Sequence, residues 1–389
     1  MFTEEIRREL TEHIIPFWKG LRDDEYGGYY GYLSFELELE KRAVKGCILN
    51  SRILWFFSNA YMLLKDESLL SEAGHAFDFM TKYCIDREHG GVFWSVNYDG
   101  SVFDSTKHTY NQAFAIYALS SYYDASKDER ALCLAKELSR LVEERCTDEA
   151  GYLEAFKADF SPESNEKLSE NGVMAEKTMN TLLHVLEAYT ELYRVSADPF
   201  IKERLEFILD IFEKRIYNRE LKRQEVFFDK NYNSLIDLHS YGHDIETAWL
   251  VDRTLEVIKE PEYTERIQPI TVALSRKIYE RAYRDHSLLN ECENGKDDTA
   301  RIWWVQAETV VGFSNAYEKS GDAKFLKAAQ DVWNYIKEYQ IDKREGSEWF
   351  YAVKEDHAPD SKRPIVEEWK CPYHNGRMCI EIIKRRLEE

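Results

Sequence analysis

Two kinds of apolar pattern alternate along the chain. In one, hydrophobic and aromatic residues fill nearly every position, as in Ser51-Arg-Ile-Leu-Trp-Phe-Phe-Ser-Asn-Ala-Tyr61. In the other they recur on one side only, as over residues 71–82, 129–144 and 323–339. A helix that is apolar all round belongs in an inner layer, and a one-sided helix covers it from outside. The all-round pattern returns about every 60 to 70 residues, with copies beginning near Ser51, Tyr110, Thr178, Asp244, Val305 and Asn375. Six inner and six outer helices close naturally into an (α/α)6 barrel, so the expected class is all-α. Ahead of the inner helices lie Gly- and aromatic-rich runs such as Gly27-Gly-Tyr-Tyr-Gly-Tyr, Gly90-Gly-Val-Phe-Trp-Ser-Val, Glu225-Val-Phe-Phe-Asp and Glu348-Trp-Phe-Tyr. These read as short hairpins gathered at one mouth of the barrel. No Pro/Gly/Ser-rich linker or low-complexity tract divides the sequence, so a single domain over residues 1–389 is expected.

The polar residues with chemistry sit at one phase of this repeat, the start of each inner helix. Arg52 opens the first, His108 and Tyr110 the second, Asn180 and His184 the third. His243 and Glu246 open the fourth, Trp303, Trp304 and Glu308 the fifth, and His374 and Arg377 the sixth. In a closed ring, equivalent helix ends converge, so residues far apart in sequence meet in one pocket. Singly, each has a plainer reading as a packed histidine, a core tryptophan or a buried ion-pair partner; their shared phase favours the pocket. His243 and Glu246 share a helical face at i, i+3, where a carboxylate holds an imidazole in one tautomer. Trp304 and Glu308 share one at i, i+4. Flat aromatics with dispersed polar groups suit a neutral sugar. The remaining histidines, His13, His75, His89, His239, His286 and His357, are expected on outer helices or loops and receive no role.

Charge and composition narrow the field. A net charge of −20 opposes nucleic acid and anionic membranes. No apolar run reaches the roughly 18 residues of a membrane span, and the charged N-terminal run has no signal-peptide core. A cytoplasmic monomer is expected. The seven cysteines are an odd number without a Cys-x-x-Cys pair, and Cys371-Pro-Tyr-His374 lacks a second half, so neither a disulfide framework nor a metal site is expected. Phosphate-loop, dinucleotide and nucleophile-elbow motifs and His-Glu-x-x-His do not occur, and no cofactor is expected.

Six segments together resemble the N-acylglucosamine 2-epimerase superfamily, and within it the bacterial branch that epimerises disaccharides such as cellobiose. They are Asn50-Ser-Arg-Ile-Leu-Trp55, Lys107-His-Thr-Tyr-Asn111, Lys177-Thr-Met-Asn-Thr-Leu-Leu-His184, His239-Ser-Tyr-Gly-His-Asp-Ile-Glu246, Trp303-Trp-Val-Gln-Ala-Glu308 and Trp369-Lys-Cys-Pro-Tyr-His-Asn-Gly-Arg377. The resemblance spans essentially the whole chain and implies an (α/α)6 barrel. It implies cofactor-independent removal of the C2 proton beside the sugar aldehyde and its return to the opposite face. His243 and His374 are then the two acid/base groups, which an imidazole pKa near 6.5 suits. His184 assists ring opening, Arg52 stabilises the enediolate oxygen, and Glu246 and Glu308 orient histidines and hydroxyls. Tyr110, Asn180, Trp303 and Trp304 bind the reacting ring, and Trp369 stacks on the second sugar. An aldose–ketose isomerase of the same superfamily is the nearest alternative. An (α/α)6 glycoside hydrolase would need two flanking carboxylates, with Glu246 and Glu308 available, but leaves three histidines unexplained.

Overall fold

The structure, a computed structural model, describes residues 2–169 and 171–387. Six inner helices run in parallel: α2 (Cys47–Leu64), α4 (Thr109–Ser126), α6 (Met179–Ser196), α8 (Tyr241–Ile258), α10 (Trp303–Ser320) and α12 (His374–Arg385). Each packs on the next, and α12 packs back on α2, so the ring closes into the (α/α)6 barrel. Burial follows the pattern: every residue from Cys47 to Ala60 and from Thr109 to Tyr122 is buried. Five outer helices follow their inner partners: α3 (Glu67–Phe79), α5 (Glu129–Arg145), α7 (Pro199–Ile211), α9 (Pro261–Arg281) and α11 (Ala323–Tyr335). α11 buries Phe325, Ala328, Ala329, Val332 and Trp333, one stripe at helical spacing.

The sixth outer helix, α1 (residues 2–20), comes from the other end of the chain and covers α12. Polar contacts tie it to α11 and to the segment ahead of α12: Trp333 Nε1 donates to Glu5 (3.1 Å), Trp349 Nε1 to Glu9 (2.7 Å), and Trp18 Nε1 to Glu348 (3.2 Å).

Four inner helices leave through a left-handed residue, and the next residue caps the outer helix. Lys65, Lys127, Ala197 and Gly321 have φ of 59°, 60°, 50° and 70°. Asp66, Asp128, Asp198 and Asp322 then accept from Ser68, Arg130, Phe200 and Lys324 backbone N–H groups. Each cap contributes about 1 kcal/mol and forces the tight reversal.

At the opposite end, the strand before one inner helix pairs with a strand of the following repeat. Lys45–Gly46 pairs with Ser95–Val96, Lys107–His108 with Ala155–Phe156, Lys177–Thr178 with Phe227–Phe228, and Arg301–Ile302 with Ala352–Val353. A Leu33–Val366 bridge joins the sixth repeat to the first. Buried lysines lock three of these joints. Lys45 Nζ donates to Asp23 (2.6 Å), Lys107 Nζ to Asp86 (2.7 Å), and Lys177 Nζ to Asp148 (2.5 Å). Each aspartate also receives backbone N–H groups of its own turn. The hairpin rim is therefore fixed relative to the helix ends that it surrounds.

Candidate active site

The N-terminal ends of the inner helices open into a cavity of about 370 Å³. Arg52 of α2, Tyr110 of α4, Asn180 and His184 of α6, His243 and Glu246 of α8, Trp303 and Trp304 of α10, and His374 of α12 line it. Trp369, on the segment entering α12, lines it too, and Lys167, Leu168, Asn290, Glu291, Tyr351 and Arg363 add a loop-borne rim. Glu308 lies one layer below, fully buried. Gly242 makes room for this arrangement, because a Cβ there would come within 2.5 Å of the Trp304 ring.

Each of the three lining histidines has its Nδ1 engaged, and in different ways. His184 Nδ1 meets Glu187 at 2.8 Å, and His374 Nδ1 meets Glu308 at 2.8 Å. His243 Nδ1 meets the hydroxyl of Ser240 at 2.7 Å. The expected His243–Glu246 contact is replaced by this one. Glu246 instead pairs with Arg377, whose guanidinium also holds Glu187 and Glu308. A guanidinium is a far stronger carboxylate partner than a neutral imidazole, so Arg377 wins Glu246 despite coming from another helix.

Burial sets the protonation states. It pulls His243 down to about 3, with help from His184. It also lowers His374, aided by Arg377 and Arg52, and lowers His184 in spite of Glu187. Burial thus favours the neutral ring at all three. Glu246 is pushed up to about 8 by burial and by neighbouring Glu308. Burial works against ionisation of Glu187 as well, but Arg377 and His184 bring it down to about 2. Glu246, Glu308 and His374 place donor atoms within 4.8 Å of one another, close enough for a cation. The Arg377 guanidinium already bridges both carboxylates there.

Aromatic rings and unspent polar atoms define the rest. Trp304 lies between the two candidate acid/base groups, its centroid 4.8 Å from His243 and 5.5 Å from His374. Trp369 packs near Tyr110 (5.9 Å) and Trp94 (5.7 Å). Among the described residues, Arg52 Nε, Asn180 Oδ1, Glu246 Oε2 and Trp303 Nε1 find no hydrogen-bond partner. Donors and acceptors held this way suit a hydroxyl-rich ligand, whose groups satisfy them on binding.

The pattern of the N-acylglucosamine 2-epimerase (GlcNAc 2-epimerase) family matches residues 27–374. The chain belongs to that family. Within it, the chain is 52% identical to "Cellobiose 2-epimerase" of Ruminococcus albus and 51% identical to "Cellobiose 2-epimerase" of Eubacterium cellulosolvens, over the full length of all the chains. A solved sugar epimerase from a ruminal bacterium superimposes with a TM-score of 0.99 at 51% identity, again covering both chains completely.

In this member of the N-acylglucosamine 2-epimerase family, ten of the eleven expected site residues line the cavity, and Glu308 supports one of them from below. His108 takes another part: its Nε2 meets Asn165 (2.9 Å) and its Nδ1 accepts from Tyr110 N–H, which anchors the loop over the rim. His239 lies in a rim strand, bonded to Asp244 (2.7 Å). Ser240, Glu187 and Tyr373, which donates to Glu187 (2.6 Å), are structural discoveries. The i, i+3 spacing that drew attention to His243 and Glu246 also links His184 to Glu187, and was the available signal for it.

Proposed function

We propose that the chain epimerises the reducing-end sugar of a β-1,4-linked disaccharide such as cellobiose at C2, with His243 and His374 as the proton-transferring pair. One observation carries the reading: two imidazoles, on different helices, flank Trp304 in a cavity that also holds a guanidinium with no carboxylate partner among the described residues. The roughly half-identical cellobiose 2-epimerases support the disaccharide substrate.

The sugar ring opens with help from His184, because only the open-chain aldehyde acidifies the C2 proton. One imidazole takes that proton through Nε2. The C–H electron pair forms the C1–C2 double bond, and the carbonyl electrons become the enediolate oxygen. Arg52, itself buried, faces this charge, and a preset cation is most effective away from bulk water. The other imidazole, carrying a proton, delivers it to the opposite face of C2, and the carbonyl re-forms. Each histidine serves as base for one epimer and acid for the other. Glu308 keeps His374 Nδ1 protonated, so Nε2 remains the working nitrogen. Trp304 offers a face to the reacting ring, and Trp369 one to the second sugar.

The test is incubation of the purified protein with cellobiose in D2O with EDTA present, followed by NMR at C1 and C2 of the reducing end. Glucosyl-mannose bearing deuterium at C2 is expected. A ketose would instead identify an aldose–ketose isomerase, and free glucose a hydrolase.

A further inference from the structure

Ser240 occupies the N-cap of α8, yet its hydroxyl makes no cap bond to the helix. A serine there normally accepts a backbone N–H from the first turn, as Thr178 does for Thr181 N–H at the same place on α6. The Ser240 hydroxyl is turned instead to His243 Nδ1, at 2.7 Å. The residue is buried and lines the cavity. The helix thus forgoes a local bond, and the same atom fixes a side chain three residues on.

The partner also differs in kind from those of the other two histidines. Glu187 and Glu308 are carboxylates, which hold Nδ1–H and favour the charged ring. A hydroxyl is neutral. It fixes the ring plane without stabilising the imidazolium as an anion does.

We propose that Ser240 is a positioning residue for His243, holding the ring so that Nε2 is left for substrate. This rests on the two-histidine reading above. Without that bond the His243 ring is free to turn, and only the proton transfers that use it slow. The loss cannot alter the balance of products, which equilibrium fixes. It changes which face of C2 is slower to exchange.

The experiment compares wild type, Ser240→Ala and Ser240→Thr, with cellobiose and with glucosyl-mannose as starting materials in D2O. Wild-type turnover tests the function itself, so failure there is distinct from failure of this proposal. Removal of a supporting partner should lower kcat in Ser240→Ala by at least about tenfold, with KM within about twofold because Ser240 orients a base and does not bind the sugar. Ser240→Thr, which keeps the hydroxyl, should stay within about threefold of wild type. In Ser240→Ala, deuterium should enter C2 faster than inversion occurs from one epimer, the one whose proton faces His374, and not from the other. A loss confined to KM, an equal kcat loss in Ser240→Thr, unchanged kcat in Ser240→Ala, or exchange slowed alike from both epimers would each overturn the proposal.

Discussion

Arg52 is 1% exposed and meets neutral groups: Tyr110 hydroxyl at 2.9 Å, Trp369 carbonyl at 3.4 Å, and the Phe114 ring at 4.1 Å. Among the described residues no carboxylate pairs with it. A guanidinium buried without a counterion costs several kcal/mol of desolvation, which π contacts and one hydroxyl offset only in part. Such a group is retained for chemistry and not for stability. Arg52→Met, which keeps much of the volume, should raise the thermal midpoint by about 1–3 °C while lowering kcat/KM by at least about a hundredfold. A variant that loses activity and also melts well below wild type would mark Arg52 as structural. The presence of Arg52 in the pocket was legible in the sequence, because the repeat phase alone places it there. Its isolation was not. That depends on where Glu187, Glu246 and Glu308 point, and all three are drawn to Arg377, an azimuth around the ring that no local spacing encodes.

At the scale of elements, the reversal between inner and outer helices poses one steric problem five times, since the residue leaving the inner helix must take positive φ. Gly321 does so freely at 70°, whereas Ala197 does so at 50° with a Cβ in the way. Nothing lies within 4 Å of a Cβ built on Gly321, so the cost of a side chain there is conformational alone. Ala197→Gly should therefore stabilise the protein by about 0.5–1 kcal/mol, and Gly321→Ala should destabilise it by about 1 kcal/mol. Opposite shifts of the thermal midpoint would support this, and shifts of one sign would refute it. The layered fold was readable because all-round and one-sided apolar patterns report inner and outer helices directly. α1 escaped that reading. Its buried Ile6, Leu10 and Ile14 recur at i, i+4, but the surface they cover belongs to α12, at the far end of the sequence. π-turns such as Met80–Cys84, Phe212–Ile216 and Ile336–Gln340, which close three outer helices, also left no mark in the pattern.

For the molecule as a whole, buried ionisable groups make stability depend on pH in opposite senses. Burial lowers His108 to about 4 and His243 to about 3 from 6.5. The unfolded chain binds those protons more tightly, so these groups add stability as pH rises, and their effect is complete only above about pH 7.5, a unit beyond the unfolded value. Glu154 behaves inversely. It caps α6 from the neighbouring hairpin, accepting Thr178 N–H (2.7 Å) and the Thr181 hydroxyl (2.6 Å), and burial raises it to about 7 from 4.5. Glu246, at about 8, has the same sign. For both, the folded state holds the proton more tightly. Their stabilisation is present in full below the unfolded value and is lost as pH climbs through the folded one. His13, raised by Glu9 against its burial, adds in the same direction. Between pH 6.5 and 8 the histidines of the unfolded chain finish losing their protons, so the histidine contribution fades and the raised groups come to dominate. The thermal midpoint should level off and then fall across that interval. Glu154→Gln, whose amide can still accept from Thr178 and donate to Thr181, removes one titrating group without removing the cap. Its midpoint should fall less steeply over the same range. Parallel slopes for wild type and variant would show that Glu154 is already ionised in the folded barrel at pH 6.5.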